Sequence, residues 1–304
     1  MGCVITLGSV NQDITVTTTR FPLAGETLTG ESVSYRLGGK GANQAVAAAH
    51  AGARSVFAGL VGDDTAGEML RAALERHGVD TRCLGTVSGQ ASGTAHITVD
   101  AAGENTIIVV PGTNRLVNAD LMDGSVFVLS AANVLVLQGE VPIEADIAAA
   151  RRAKAAGVTV VLNLAPAVPV ADDVLRLVDV LVVNETEAGI VLGASAPEGR
   201  EQAELAARGL AARGPRWVLV TLGAQGAAWS DGAGTGSLPA PPVDTVLDTT
   251  GAGDAVVGVL AAGLAEGLGF PEAVRCAIRA GSRSVERVGA ADSYPRFNLV
   301  DDER

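Results

Sequence analysis

Lysine is almost missing from this chain: Lys40 and Lys154 stand against twenty arginines. Aromatic residues make up only 3% of it, so a core must be assembled from Ala, Val, Leu and Ile, in line with 48% hydrophobic residues and a mean hydropathy of +0.32. Cysteine is equally scarce. Cys3, Cys83 and Cys276 are odd in number and far apart, which points away from a disulfide framework or thiolate metal site and toward reduced thiols in a cytoplasmic protein. No apolar run reaches the ~20 residues that a membrane span requires. The first residues, MGCVITLGSV, enter a strand pattern without a basic segment, so no secretory leader is expected. Basic charge is short too. A net charge of −12 argues against nucleic acid or an anionic membrane as partner. Any phosphate site in so acidic a chain must create its own local positive potential.

Glycine, by contrast, is abundant: 38 of 304 residues, well above the usual ~7%. That excess predicts tight turns and places where backbone approaches a ligand. The length exceeds an average domain, yet doubly wound α/β folds reach it as one unit, so a single domain over 1–304 with an insertion is expected.

Short apolar runs alternate with helical patterns. The predicted strands are Cys3–Leu7, Ser55–Leu60, Val134–Gln138, Val158–Asn163, Val178–Val183 and Trp217–Thr221. The predicted helices are Ala42–His50, Thr65–His77, Ile143–Ala156, Glu201–Arg213, Ala252–Glu266 and Pro271–Arg287. Near-continuous apolar strands separated by helices predict a doubly wound, mainly parallel sheet covered on both faces. Two Thr/Val-rich stretches, 14–35 and 93–110, alternate without a helix and predict extra strands forming a small β lid.

Ligands of open parallel sheets bind outside the carboxyl ends of the strands. Polar residues recur there: Asn11 and Asp13 after the first strand, Gln138 and Glu140, Asn163, then Asn184 to Glu187, and Thr221 to Gly223. Singly each could cap a helix or make a turn. Five in register outline a cleft.

The strongest chemical signal is Asp248-Thr-Thr-Gly251-Ala252-Gly253-Asp254, which follows a loop and opens an apolar helix. Its glycines would turn backbone N–H groups toward a phosphate, where the helix terminus adds positive potential. Asp254, held ionised by that potential, could accept a proton from an attacking hydroxyl. The spacing is neither a dinucleotide fingerprint nor a Walker A loop. A second cluster, Gly38-Gly39-Lys40-Gly41-Ala42-Asn43-Gln44, opens another helix and sets Lys40 and Asn43 on its first turn. His50, His77 and His96 lack ligand spacing, Trp217 and Trp229 read as core, and Arg151-Arg152 reads as a charged helix face.

With these motifs, and with Phe21-Pro-Leu-Ala-Gly-Glu26-Thr27, the sequence resembles the ribokinase (PfkB-type carbohydrate kinase) family from about Leu7 to Pro295. The resemblance implies an ATP-dependent kinase acting on the primary hydroxyl of a small sugar, D-ribose first among them, with Asp254 as base and Gly251, Ala252 and Gly253 as anion hole. It implies that Asn11, Asp13, Gly39, Lys40, Asn43 and Glu140 hold the sugar hydroxyls. Asn184, Thr221, Gly223, Gly226 and Gly253 fall on the ATP side. Asn184 and Glu187 match the pair that organises Mg²⁺, largely through waters. Asp248 and Thr250, with Ser284, Arg287, Gly289 and Ser293, match a potassium site built mostly from backbone carbonyls. A homodimer paired through the lid is also implied. One departure is Ile278, where relatives often carry His or Asn, on a helix made polar by Arg279, Ser282 and Arg283. Two other readings compete: a kinase for another acceptor (deoxyribose, another sugar, a nucleoside), and a sugar-binding protein without catalysis.

Overall fold

The computed structural model describes residues 1–122, 129–296 and 299. Strand β1 (Cys3–Leu7) is followed by β2 (Asn11–Thr17), β3 (Ser32–Gly38) and helix α1 (Lys40–His50). Next come β4 (Arg54–Gly62), α2 (Thr65–Arg76), β5 (Asp80–Val87), β6 (Gly93–Val99) and β7 (Asn105–Val110). Strands and helices then alternate through β8 (Val134–Gln138), α3 (Ile143–Ala155), β9 (Thr159–Asn163), the single turn α4 (Asp172–Leu175), β10 (Val180–Asn184), α5 (Glu185–Leu192) and α6 (Gly199–Ala211). The chain closes with β11 (Trp217–Thr221), β12 (Ala227–Ser230), β13 (Thr235–Leu238), α7 (Ala252–Ala265) and α8 (Phe270–Ser284).

The main sheet has nine strands in the order β13-β12-β11-β10-β9-β8-β1-β4-β5, parallel except for β12 and β13. Its central strands are buried on both faces, which is why CVITL, VLVLQ and TVVLN read as unbroken apolar runs. Leu137, Leu162, Leu181 and Val218 pack on one side with α3, α5 and α6. Val4, Val136 and Val182 pack on the other with α7 and α8, where α1 and α2 continue the layer. Strand order reverses at the β1/β8 pair, and the crevice there is where such sheets take ligands.

The lid is a separate four-stranded sheet, β3-β2-β6-β7. At its hairpin tip Asp100 Oδ1 accepts the N–H groups of Ala102 and Glu104. Register alternation places Val33, Tyr35, Ile108 and Val110 on one face of this sheet, and all four are exposed. Asn11 and Asp13, expected in the turn that ends the first strand, lie instead on β2, because its ladder with β3 runs as far as the pair Asn11–Gly38. Three strands and two helices, the single turn α4 among them, go beyond the sequence pattern. β5 is an edge strand whose DTRCLGTV mixes exposed and buried positions, β12 and β13 are only four residues each, and α5 is a short helix grown from the Asn184–Glu187 segment.

Asp146 lies inside the sheet-facing side of α3, and neither carboxylate oxygen finds a hydrogen-bond partner among the described residues. Burial raises its carboxyl well above the usual range. Folding therefore favours the protonated acid, and this residue's penalty grows as pH rises from its unfolded value toward its folded one. Asp146→Ala is expected to raise the melting temperature by about 2–4 °C at mildly alkaline pH and by less at mildly acid pH, as thermal melts at both would show.

Candidate active site

Helices α1 and α7 cross in close contact at Gly258, where a methyl group would run into Gln44 O and the Ala47 side chain. This approach brings the first turn of α1 against the first turn of α7, and Asp254 is buried between them at 6% exposure. Its Oδ1 accepts from Gln44 Nε2 at 2.9 Å and its Oδ2 from Asn43 Nδ2 at 3.1 Å. Gln44 is itself fixed, donating to Asn163 Oδ1 at 3.0 Å and accepting from Gln138 Nε2 at 2.8 Å. The Asp254 carboxylate is thus aimed by a chain of buried amides that crosses from α1 to β8 and β9. Gln44, Gln138 and Asn163 carried no assigned role in the sequence. The available sign was a glutamine inside an Ala/Val helix, a poor place for an amide unless it is hydrogen-bonded.

Charge around this carboxylate differs from the simple expectation. Burial outweighs the helix terminus and moves the Asp254 carboxyl up, while Lys40 and the two amides pull it back. Lys40 is in turn raised, first by Asp254, and lines a cavity of about 310 Å³ with Asn184, Glu187, Gly253 and Asp254. The scarce lysine stands beside Asp254 and the mouth of the glycine turn.

On the lid side, Asn11 Oδ1 accepts from Asn114 Nδ2 at 2.8 Å, and Asn114 Oδ1 accepts the Val10 N–H at 3.0 Å. Asn114 is a further residue that the motifs did not mark. The Asp13 carboxylate lies over Gly38, in space that any side chain there would fill. Glu140 Oε2 accepts from Ser9 Oγ at 2.6 Å and from the Lys40 N–H at 3.0 Å, joining the segments after β8, β1 and β3 at the switch point. Gly39 turns the chain with φ 89°, and a Cβ there would stand 2.8 Å from Val10 Cα. Burial, with the charges of Glu140 and Asp254, pushes the Asp13 carboxyl up to about 7.

The 310 Å³ cavity shares Thr221, Gly223 and Gly253 with a second of about 420 Å³, so the two form one groove along the strand ends. The larger part is walled by Pro241, Val246, Ile278 and Val285, and Gly226 also lines it: an apolar slot fit for a flat ring. At the junction Gly251, in the left-handed region at φ 76°, caps α7, whose first N–H groups lack intrahelical acceptors and face an anion naturally. Asn184 and Glu187 form a reciprocal cap at the start of α5: Asn184 Oδ1 accepts the Glu187 N–H and Glu187 Oε2 accepts the Asn184 N–H, each at 2.8 Å. Both also border the smaller cavity, and burial raises the Glu187 carboxyl. Behind the glycine turn, Asp248 accepts the N–H of Thr250 at 2.9 Å and of Gly289 at 2.8 Å, tying two loops together. Ser284 Oγ and Ser293 Oγ donate to carbonyls of their own turns, and Arg287 is exposed.

A buried carboxylate between the polar residues at the lid and a two-part groove along the strand ends suits phosphoryl transfer, and the sequence match agrees. Residues 1–296 match the pfkB family carbohydrate kinase profile. The chain belongs to the pfkB family of carbohydrate kinases. This pfkB chain is 37% identical over 289 residues to the ribokinase of Haemophilus influenzae, covering 95% of this chain and 94% of that one. Its fold is similar to that of Arabidopsis thaliana ribokinase complexed with ribose and ATP, with a TM-score of 0.90, 32% identity and coverage of 99% and 98%. Ribokinase from Cryptococcus neoformans in complex with ADP is similar at a TM-score of 0.84, 31% identity and 98% coverage of both chains. The pfkB assignment accounts for the doubly wound sheet and the ATP-dependent carbohydrate kinase chemistry together.

Proposed function

We propose that this carbohydrate kinase transfers the γ-phosphoryl group of ATP to the primary hydroxyl of D-ribose, giving ribose 5-phosphate and ADP. The observation that carries the reading is Asp254, buried and amide-held between the first turn of α1 and the N-terminus of α7. An acceptor hydroxyl entering from the lid side loses its proton to that carboxylate, and the phosphoryl group moves across to it while the α7 N–H groups and Lys40 neutralise its charge. A raised carboxyl suits this task, since a base works best when its pKa lies near the working pH. Ribose as acceptor is supported by the ribokinase relatives and by side chains that match vicinal hydroxyls: Asn11, Asp13, Asn43 and Glu140, together with the backbone of Gly39. ATP is read into the apolar slot by Thr221, Gly223, Gly226 and Gly253, with Asn184 at the phosphate end.

Asn184 and Glu187 offer one amide and one carboxylate at the phosphate end, a donor set that suits Mg²⁺ retaining most of its waters. Bound there, the ion would screen the β- and γ-phosphates. Asp248 ties the 248–250 segment to the loop around Gly289, and we read a potassium ion at this junction, for which Asp248 would supply the charge. Burial acts to raise the Asp248 carboxyl, yet hydrogen bonds from Thr250 and Gly289 and the nearby Arg36 charge leave it below the usual range. The exposed apolar face of the lid is the surface through which we read a homodimer. On this reading residues 1–304 form one kinase unit with lid strands inserted at about 14–35 and 93–110.

ADP release with Mg-ATP and a panel of sugars and nucleosides, with and without potassium, tests the reading. Strong potassium-stimulated turnover on D-ribose is expected. Preference for another acceptor would move the specificity, and folded protein that binds ATP but releases no ADP on any acceptor would overturn the kinase assignment.

A further inference from the structure

Tyr294 lies outside every motif discussed so far. Its ring is buried at 4% exposure and packs with Leu37, Val46, Ala290 and Ala291. Its hydroxyl donates to Gly251 O at 3.0 Å. The same carbonyl accepts the Ala255 N–H at 2.9 Å, as the cap of α7. At the other end, Tyr294 O meets His50 Nδ1 at 3.1 Å, at the last residue of α1, and His50 continues to His77 at 3.2 Å. One residue thus links the C-terminal end of α1, through its backbone carbonyl, to the N-terminal end of α7, through its hydroxyl; the first turns of these two helices form the site.

Gly251 is where such a brace has the most effect. It sits in the left-handed region with no side chain of its own, so the tilt of its peptide plane is set by hydrogen bonds: the Ala255 N–H and the Tyr294 hydroxyl on Gly251 O, and the Ala252 N–H donated to Thr249 O at 3.2 Å. The carbonyl of Gly251 and the N–H of Ala252 belong to one rigid peptide. Any rotation of that carbonyl therefore redirects the backbone leading into Gly253 and Asp254.

We propose that the Tyr294 hydroxyl is a positioning group for phosphoryl transfer: by holding Gly251 O it fixes the Gly251–Ala252 peptide, whose own N–H is taken by Thr249 O, and with it the direction of the Gly253 and Asp254 N–H groups that meet the migrating phosphoryl. The assignment rests on the kinase reading above. Preorganised donors matter most where charge develops in the transition state, so their loosening lowers turnover before it lowers ground-state binding. A residue needed only for packing would instead lower stability and raise KM for both substrates.

The test is Tyr294→Phe, which keeps the ring and removes one oxygen. It is expected to lower kcat about tenfold with both KM values within about twofold of the parent. Affinity for ADP–aluminium fluoride in the presence of sugar should fall by the same factor as kcat, with affinity for ADP alone and the melting temperature unchanged. Unchanged kcat would overturn the proposal. So would a loss shared between kcat, both KM values and melting temperature, which marks a packing strut. A parent protein that forms no ADP with any acceptor would sink the kinase reading and this assignment together, whereas an active parent matched by Y294F sinks this assignment alone.

Discussion

Asp254→Asn is expected to retain sugar and ATP binding within about threefold while losing turnover by about 10³-fold. Asparagine keeps the size of the carboxylate and still fits between Gln44 and Asn43, but it cannot take a proton from the acceptor. Part of the loss comes from the surrounding amides. Gln44 Nε2 and Asn43 Nδ2 both donate to Asp254, so an amide NH₂ in place of one oxygen faces a donor with a donor. Isothermal titration with each substrate, alongside single-turnover ADP formation, separates the two effects. Full turnover in this variant would remove Asp254 as the base.

The second large effect concerns Asp13 and pH. Its carboxyl stands at about 7 because burial, Glu140 and Asp254 all disfavour the charge. On the proposed reading, sugar hydroxyls donate to the ionised form, so binding must first deprotonate Asp13 whenever the pH lies below that value. The kcat/KM for sugar should fall about tenfold per pH unit below about 7 and level off above it. The kcat profile should be flatter, because bound sugar favours the ionised form and lowers its pKa. Asp13→Asn should remove that limb and lower kcat/KM on the plateau by about 10²–10³-fold, since a site built to hydrogen-bond hydroxyls is left with mismatched donors. Any acid limb that survives in Asp13→Asn belongs to Asp254 or Glu187, whose carboxyls are also raised. A parent profile flat across neutral pH would refute the role given to Asp13.

The main sheet was legible because its buried strands leave an unmistakable trace: runs such as Val134–Gln138 and Trp217–Thr221 match the structure residue for residue. The edges were less legible. β5 and the β12–β13 hairpin are short or mixed in polarity, since an edge strand is not buried on both faces and need not be apolar throughout. Of the candidate site, the glycine turns and their helices could be read locally, since a turn, a helix terminus and an acid sit within a few residues. The amide chain through Gln44, Gln138 and Asn163 could not. Its members lie on α1, β8 and β9, and only the packing of those elements makes them neighbours. The same holds for Asn114, which reaches back to Val10 and Asn11 across more than a hundred residues.

The contact of α1 and α7 at Gly258 separates choice of acceptor from chemistry. Asn11 and Asp13 ride on β2 in the lid sheet, whereas Asp254, Asn43, Gln44 and the glycine turn are fastened to two helices in close contact. The proposed sugar contacts are therefore modular in part, with Asn43 shared because it also holds Asp254. Exchanging the strands that grip the sugar should redirect the enzyme to new alcohols while leaving the reaction engine, and its gap between donor and acceptor, as built.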